Sequence, residues 1–327
     1  MEEFDNPSIK YKNRYKHLKR QVETNLIERI KKSVKEAQSK RFRRADTKID
    51  TLNFSFGDIP KIKARNFTEK LTVINKKYKR DLTVDIPTDE CHDCKLPKHM
   101  CILEKTNDQQ YLDRFFYVLE QVYQANTTHK TFTYQADKHR VFLFDSLSVF
   151  DTISTANYLN PELAQFFTNY IADAFNILDM NDNDLESLLT KSKLVIARYD
   201  NLTGLHSHID KIGRADGPVL TMSLGPSENV YDLIPIKGEQ FDSLRITIKE
   251  GQYVLMDGLS RFLWFHGLPF GYEYQKSDIK YSLILLTNKF RVIESIWSNF
   301  WGTKIDVTAK PCYDKKTNKQ TDENSKI

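Results

Sequence analysis

Six apolar runs decide how this chain folds: LVIARYD (194–200), PVLTMSLG (218–225), LRITIKEG (244–251), YVLMDG (253–258), RFLWFHG (261–267) and KYSLILLTN (280–288). Each is rich in β-branched, aromatic and aliphatic residues and is bounded by turn chemistry, chiefly Gly, Asp, Asn and Pro. Short strands with no helical pattern between them pair antiparallel, so this region reads as a sandwich or jelly roll.

Toward the N-terminus the pattern turns helical. Pro161 to about Leu178 carries a long apolar period closed by the polar stretch Met180 to Asp184, Tyr111 to about Gln124 reads as another helix, and residues 131–148 read as two short strands. Asn6-Pro7-Ser8 opens an amphipathic helix reaching about Ser39, with Leu18, Val22, Leu26, Ile27, Ile30 and Val34 at three- and four-residue steps. The expected class is therefore α+β. The expected organisation is a basic helical extension over residues 1–88, a Cys-rich segment with lid strands and supporting helices over 89–190, the β core over 191–300 and a polar tail over 301–327.

The net charge of +5 hides an asymmetry: residues 1–80 hold 23 Lys and Arg against 10 Asp and Glu, and the remaining residues hold 26 against 34. The first helix carries Lys12, Arg14, Lys16, Lys19, Arg20, Lys31, Lys32 and Lys35 on its polar side and runs into Lys40-Arg41-Phe42-Arg43-Arg44. A basic arm on an acidic body is the usual footprint of contact with phosphate, anionic lipid or an acidic protein surface; RNA or DNA is the expected partner, with a merely solvated helix face as the alternative. No apolar run approaches the ~18 residues that span a bilayer. The first residues, MEEFDNPSIK, lack the apolar segment of a secretory signal, and four cysteines suit a reducing compartment, so a cytoplasmic or nuclear setting is expected.

The chemistry concentrates in Leu205-His206-Ser207-His208-Ile209-Asp210. Side chains two apart on a strand share a face, so His208 and Asp210 can offer a nitrogen and an oxygen to one point. His266 lies 58 residues beyond His208 and closes one of the strand runs. Two imidazoles and one carboxylate leave coordination positions open, the donor set of non-haem Fe(II) oxygenases. His206 shares a face with His208 in an extended strand and is an alternative ligand.

The surroundings of these residues, from Ile196 to about Leu286, resemble the AlkB-like branch of the Fe(II)/2-oxoglutarate dioxygenases. The matching features are Ala197-Arg198-Tyr199 before His208, the segment Pro218-Val-Leu-Thr-Met-Ser-Leu-Gly225, and Ser260-Arg261 shortly before His266-Gly267. The resemblance implies a double-stranded β-helix (jelly-roll) core and Fe(II) held by His208, Asp210 and His266, the nine-residue step from Tyr199 favouring His208 over His206. It implies 2-oxoglutarate as co-substrate, its far carboxylate on Lys280 and a hydrogen bond from Tyr199. Arg261 either pairs with a core carboxylate or contacts the product carboxylate. The implied activity is oxidative demethylation of N-alkylated nucleic-acid bases with release of succinate, carbon dioxide and formaldehyde, Phe132 or Tyr134 stacking on the flipped base.

Three positions depart from that family pattern: Ala197 replaces an Asn, Leu286 a second arginine, and Ile212 an acidic residue that reads the base. They open the alternatives of a hydroxylase acting on a protein or a tRNA nucleoside, or a non-catalytic nucleic-acid-binding module. A second metal is also conceivable from sequence. Cys91, Cys94 and Cys101 are candidate zinc ligands, with His92, His99 or Cys312 to complete four, although the spacing fits no standard finger and free cysteines are the alternative.

Overall fold

In the computed structural model each of the six apolar runs contributes a strand, and every strand pairing among the described residues is antiparallel. The structure describes residues 7–45, 47–52, 96–97, 99–104, 106–125, 133–135, 140–144, 147–199, 205–210, 215, 217–225, 228–235, 243–257, 260–261, 264–268 and 279–288. The elements are α1 (Pro7–Ala37), β1 (Ile49–Leu52), β2 (Met100–Leu103), α2 (Gln109–Ala125), β3 (Thr133–Gln135) and β4 (Arg140–Leu143). There follow α3 (Val149–Leu159), α4 (Pro161–Ile177), α5 (Asp182–Lys191), β5 (Lys193–Tyr199), β6 (Leu205–His208), β7 (Val219–Leu224) and β8 (Asn229–Pro235). The last are β9 (Ser243–Ile248), β10 (Tyr253–Met256), β11 (Trp264–Leu268) and β12 (Lys280–Leu286). The class is α+β, and no helix among the described residues is long and apolar enough to cross a membrane.

Two sheets form. One has seven strands in the order β2-β10-β7-β12-β5-β4-β3, the other five in the order β1-β9-β8-β11-β6. From β5 onward the chain crosses from sheet to sheet at every step except β8 to β9, which form a hairpin within the smaller sheet. Neighbouring strands of the core are therefore distant in sequence.

The seven-stranded sheet is covered on both faces, which explains why its strands read as nearly continuous apolar runs. Leu194, Ile196, Leu220, Met222, Leu224, Tyr253, Leu255, Tyr281, Leu283 and Leu285 pack with the helices. The alternate positions Ala197, Tyr199, Val254 and Met256 join Tyr231, Leu233, Leu244, Ile246, Ile248, Trp264 and Leu268 of the other sheet in a second core.

The helices form where caps permit. Ser148 accepts from the Asp151 N–H to start α3, Asn160 with Pro161 starts α4, and Asn181 with Asp184 makes a capping box for α5. The sequence reading did not assign α3, and it took the start of α5 as a polar terminator. It also left β1, β2 and β8 unassigned, while the two strands expected in 131–148 are β3 and β4.

The second half of α1 belongs to this same core: Leu26, Ile30, Val34 and Ala37 are buried among residues of α4 and the sheet. The Asn176 side chain donates to the carbonyls of Ala37 and Lys40, and Arg29 reaches Asn157 and Gln165. Asp173 on α4 is the polar hub, accepting from Lys40 Nζ at 2.7 Å, from Tyr253 Oη at 2.7 Å and from Thr106 Oγ1 at 3.4 Å. Its own carboxylate is buried, so each of these donors offsets a desolvation cost. Replacing Asp173 by Ala strands the Tyr253 hydroxyl and the Lys40 ammonium, and the expected loss in equilibrium urea unfolding is about 2–4 kcal/mol, with Asp173→Asn losing less.

Candidate metal centre

Strands β6 and β11 are neighbours in the smaller sheet, and their register sets His208 directly opposite His266. Leu205 pairs with Leu268, so three steps along β6 match two along β11. This one-residue shift has the character of a bulge. The two imidazole rings of His208 and His266 lie 4.6 Å apart, centre to centre, at 55°.

Asp210 follows just beyond the strand. Its Oδ1 is 3.6 Å from His266 Nε2 and 3.9 Å from His208 Nε2, and the ligand atoms of all three residues lie within 4.8 Å of one another. The other oxygen, Oδ2, accepts from Arg261 Nε at 2.7 Å. Arg261 is 1 % exposed, and its guanidinium also donates to the Gly217 carbonyl. The Asp210 N–H in turn points to the Arg261 carbonyl at 3.4 Å. Arg261 thus takes the core-carboxylate role of the two open to it, and turns Asp210 so that one oxygen faces the histidines.

Burial works against the Asp210 carboxylate, but the hydrogen bond from His266 and the charges of His266 and Arg261 outweigh it and hold the carboxyl well below its usual range. His266 Nδ1 lies 3.3 Å from the Trp264 carbonyl, which can only accept. A hydrogen bond there needs the proton on Nδ1, and that tautomer would leave the Nε2 lone pair free for a metal. Two imidazoles and one carboxylate that leave coordination positions open could hold iron, whereas a structural zinc site is usually closed by a fourth ligand.

Lys280 opens β12, paired with Tyr199 on β5. It lies on the face opposite Tyr281, Leu283 and Leu285, toward the core that contains Tyr199, Trp264 and Leu268. The residue is 5 % exposed, and its Nζ has no hydrogen-bond partner among the described residues. It stands 5.6 Å from the Tyr199 ring centre. Burial pushes its ammonium down to about 8. A buried ammonium without a hydrogen-bond acceptor would gain from an anion placed beside it.

Beside Lys280 lies a cluster that the sequence reading missed. Ser282, two residues along the same face, pairs with Ser223 on β7 and with Ala197 on β5. The Tyr231 hydroxyl from the other sheet hydrogen-bonds to both serines, and burial pushes that phenol up. The signal available was the period of two from Lys280 to Ser282, since Ser223 already stood in the quoted motif. On the opposite face, Arg198 makes a two-pronged ion pair with Glu120 of α2, which also accepts from Tyr281 Oη at 2.6 Å. Glu120 thereby braces the two strands that carry Tyr199 and Lys280.

The candidate zinc ligands are not brought together within the described residues. Cys101 lies in β2, fully buried in the helix-side core, and burial pushes its thiol far above the usual range. Cys91, His92, Cys94 and Cys312 lie outside the described residues, as do Phe132 and Ile212, while Tyr134 falls in edge strand β3. Leu286 sits at the far end of β12 from Lys280.

The Lys280 amine loses its proton at about 8 in the folded chain and near 10.5 when unfolded, so the unfolded state binds the extra proton between those values. Ligand-free protein is therefore expected to gain stability as pH rises from about 8 toward 10.5, with the full penalty present below 8. Lys280→Met should remove that rise and stabilise the ligand-free chain at pH 7 by about 1–3 kcal/mol, measured by thermal unfolding across this pH range.

No protein-family model matches the chain, and no curated protein matches it. Among solved structures it is similar to OsALKBH1, with 14% identity and a TM-score of 0.32 over 57% of this chain and 98% of that one. A candidate oxygenase from Shewanella oneidensis shows 11% identity and a TM-score of 0.32 over 58% and 82% of the two chains. A prolyl-4-hydroxylase from Pseudomonas putida shows 11% identity and a TM-score of 0.34 over 58% and 93%.

Proposed function

We propose that this chain is an Fe(II)- and 2-oxoglutarate-dependent oxygenase built on a double-stranded β-helix (jelly-roll) core. The observation that carries the reading is the coexistence of the His208, Asp210 and His266 donor set with the buried ammonium of Lys280, which has no hydrogen-bond partner among the described residues. The alternation of β5 to β12 between two facing sheets is the connectivity expected of that core.

His208, Asp210 and His266 would hold the iron, and Lys280 the far carboxylate of the co-substrate. Iron and 2-oxoglutarate, when bound, supply activation of dioxygen, with succinate and carbon dioxide as the co-substrate's products and one oxygen atom entering a substrate C–H bond. The chain contributes position and dryness. Arg261 holds Asp210 in register, and the Trp264 carbonyl fixes the tautomer of His266. Tyr199 and Tyr231, with Trp264 and Leu268, wall the space between the sheets against water.

The substrate proposed is an N-alkylated nucleic-acid base. Hydroxylation of an N-methyl carbon gives a carbinolamine that releases formaldehyde and restores the base. Two considerations support this choice: the motif resemblance, and the exposed basic side chains of Lys31, Lys32, Lys35, Arg41 and Arg43 on the outer side of α1 and just beyond it. Such a face meets phosphate without reading sequence.

Anaerobic Fe(II)-loaded protein is expected to develop a visible charge-transfer band on addition of 2-oxoglutarate. His208→Ala should lose the band, and Lys280→Ala should need at least about tenfold more co-substrate to reach it. Formaldehyde release from methylated oligonucleotides, weakening with added salt, then supports the nucleic-acid substrate. Turnover of 2-oxoglutarate with hydroxylation but no formaldehyde points instead to a protein or tRNA nucleoside. Salt-sensitive binding of nucleic acid with no band at all would leave a non-catalytic binding module.

A further inference from the structure

Lys280 has two neighbours across the sheet. On one side it pairs with Tyr199; on the other, one residue past the pair Tyr281 and Leu224, it faces Gly225. Gly225 takes φ +131°, a conformation that side-chain-bearing residues rarely adopt. A Cβ built on it would stand 2.9 Å from the Ile279 carbonyl oxygen and 3.2 Å from both Cα and Cβ of Lys280. The absent side chain is what lets the head of β12 close against the end of β7.

The conformation is also held from outside. The Gly225 N–H donates to Glu250 Oε1 at 2.7 Å, and Gln109 of α2 donates to Glu250 Oε2 at 2.6 Å. The Gly251 N–H donates to the Ser223 carbonyl at 2.9 Å, tying the turn that carries Glu250 to the same strand end. A carboxylate that accepts from two donors is a firm acceptor.

We infer that Gly225, fixed by Glu250, is a positioning residue: its bare backbone seats the start of β12 so that the Lys280 ammonium is presented to the far carboxylate of a dicarboxylic 2-oxo acid. The inference rests on the co-substrate role proposed for Lys280. It assigns the final glycine of the Pro218–Gly225 segment a task in ligand selection, carried out through Lys280 without touching the ligand. Any side chain at position 225 displaces the lysine backbone, and the ammonium moves with it, while the metal ligands on β6 and β11 belong to the other sheet.

The test compares two acids on full-length Fe(II)-loaded protein without oxygen: 2-oxoglutarate, and 2-oxopentanoate, which keeps the keto-acid end and lacks the far carboxylate. The readout is the dissociation constant of each, from titration of the visible band or from calorimetry. In Gly225→Ala the constant for 2-oxoglutarate is expected to rise about tenfold, while those for 2-oxopentanoate and for the metal stay within about twofold. Glu250→Ala should show the same selective loss in smaller measure, and Glu250→Gln, which keeps an acceptor, should restore it.

Equal weakening of both acids in Gly225→Ala would mean general damage to the site, and weakening of neither would mean that Lys280 is seated without the glycine; each overturns the inference. If Gly225→Ala does not fold, the Glu250 pair decides, and equal behaviour of Glu250→Ala and Glu250→Gln overturns it. A wild-type protein that binds both acids equally well fails differently: it removes Lys280 as the carboxylate anchor and takes this inference with it.

Discussion

A sheet covered on both faces leaves no water for a polar side chain, and that constraint organises this molecule. The seven-stranded sheet meets helices on one side and the second sheet on the other, so its strands can afford polar groups only where a partner is built in. Most have one. Arg198 has Glu120, and Ser223 and Ser282 share the Tyr231 hydroxyl. Lys280 is the buried cation for which the described residues provide no hydrogen-bond acceptor. With its neighbours matched and this group left without an acceptor among the described residues, Lys280 is a candidate for meeting a ligand and not a source of stability.

The metal centre depends on the same architecture through different strands. His208 and His266 meet because the chain places β6 and β11 side by side after passing through both sheets. A one-residue register shift brings Leu205 and His208 to serve the same pair of strands, so the inward leucine and the ligand histidine are not bound to opposite faces. Arg261 then does for Asp210 what Trp264 does for His266: each fixes the donor that its partner presents.

Much of this was legible in the sequence, for identifiable reasons. The strands β5, β7, β9, β10, β11 and β12 announce themselves because burial on two faces makes them apolar throughout. The triad is legible because its spacing and its flanking segments occur in order. Where the reading stopped, the missing information was long-range or local in a way composition hides. Strand β8 mixes Asp232 and Tyr231 into its run, because Asp232 is paired with Arg245 from the adjoining strand. Helix α5 begins in the stretch taken for a terminator, because Asn181 and Asp184 cap it reciprocally. The ion pair between Arg198 and Glu120 spans 78 positions, and nothing near either residue points to the other.

A lysine at position 280 suits the role proposed for it, a buried cation that would gain its hydrogen-bond acceptor only with a ligand. An arginine keeps its charge under all ordinary conditions, so burying one alone would impose the whole desolvation penalty on the ligand-free fold. A lysine limits that penalty, because it can release its proton once the cost of staying charged exceeds the cost of deprotonation. Its downward shift to about 8 places it near that limit while leaving it largely protonated at neutral pH. A carboxylate entering beside it would reverse the shift, so that binding and protonation reinforce each other. Arg261 faces the opposite situation: it is never without Asp210 and the Gly217 carbonyl, and a permanent cation is stable there. Arg261 and Lys280 thus divide by chemistry, the fixed guanidinium holding Asp210 in place and the adjustable ammonium left without a hydrogen-bond partner among the described residues.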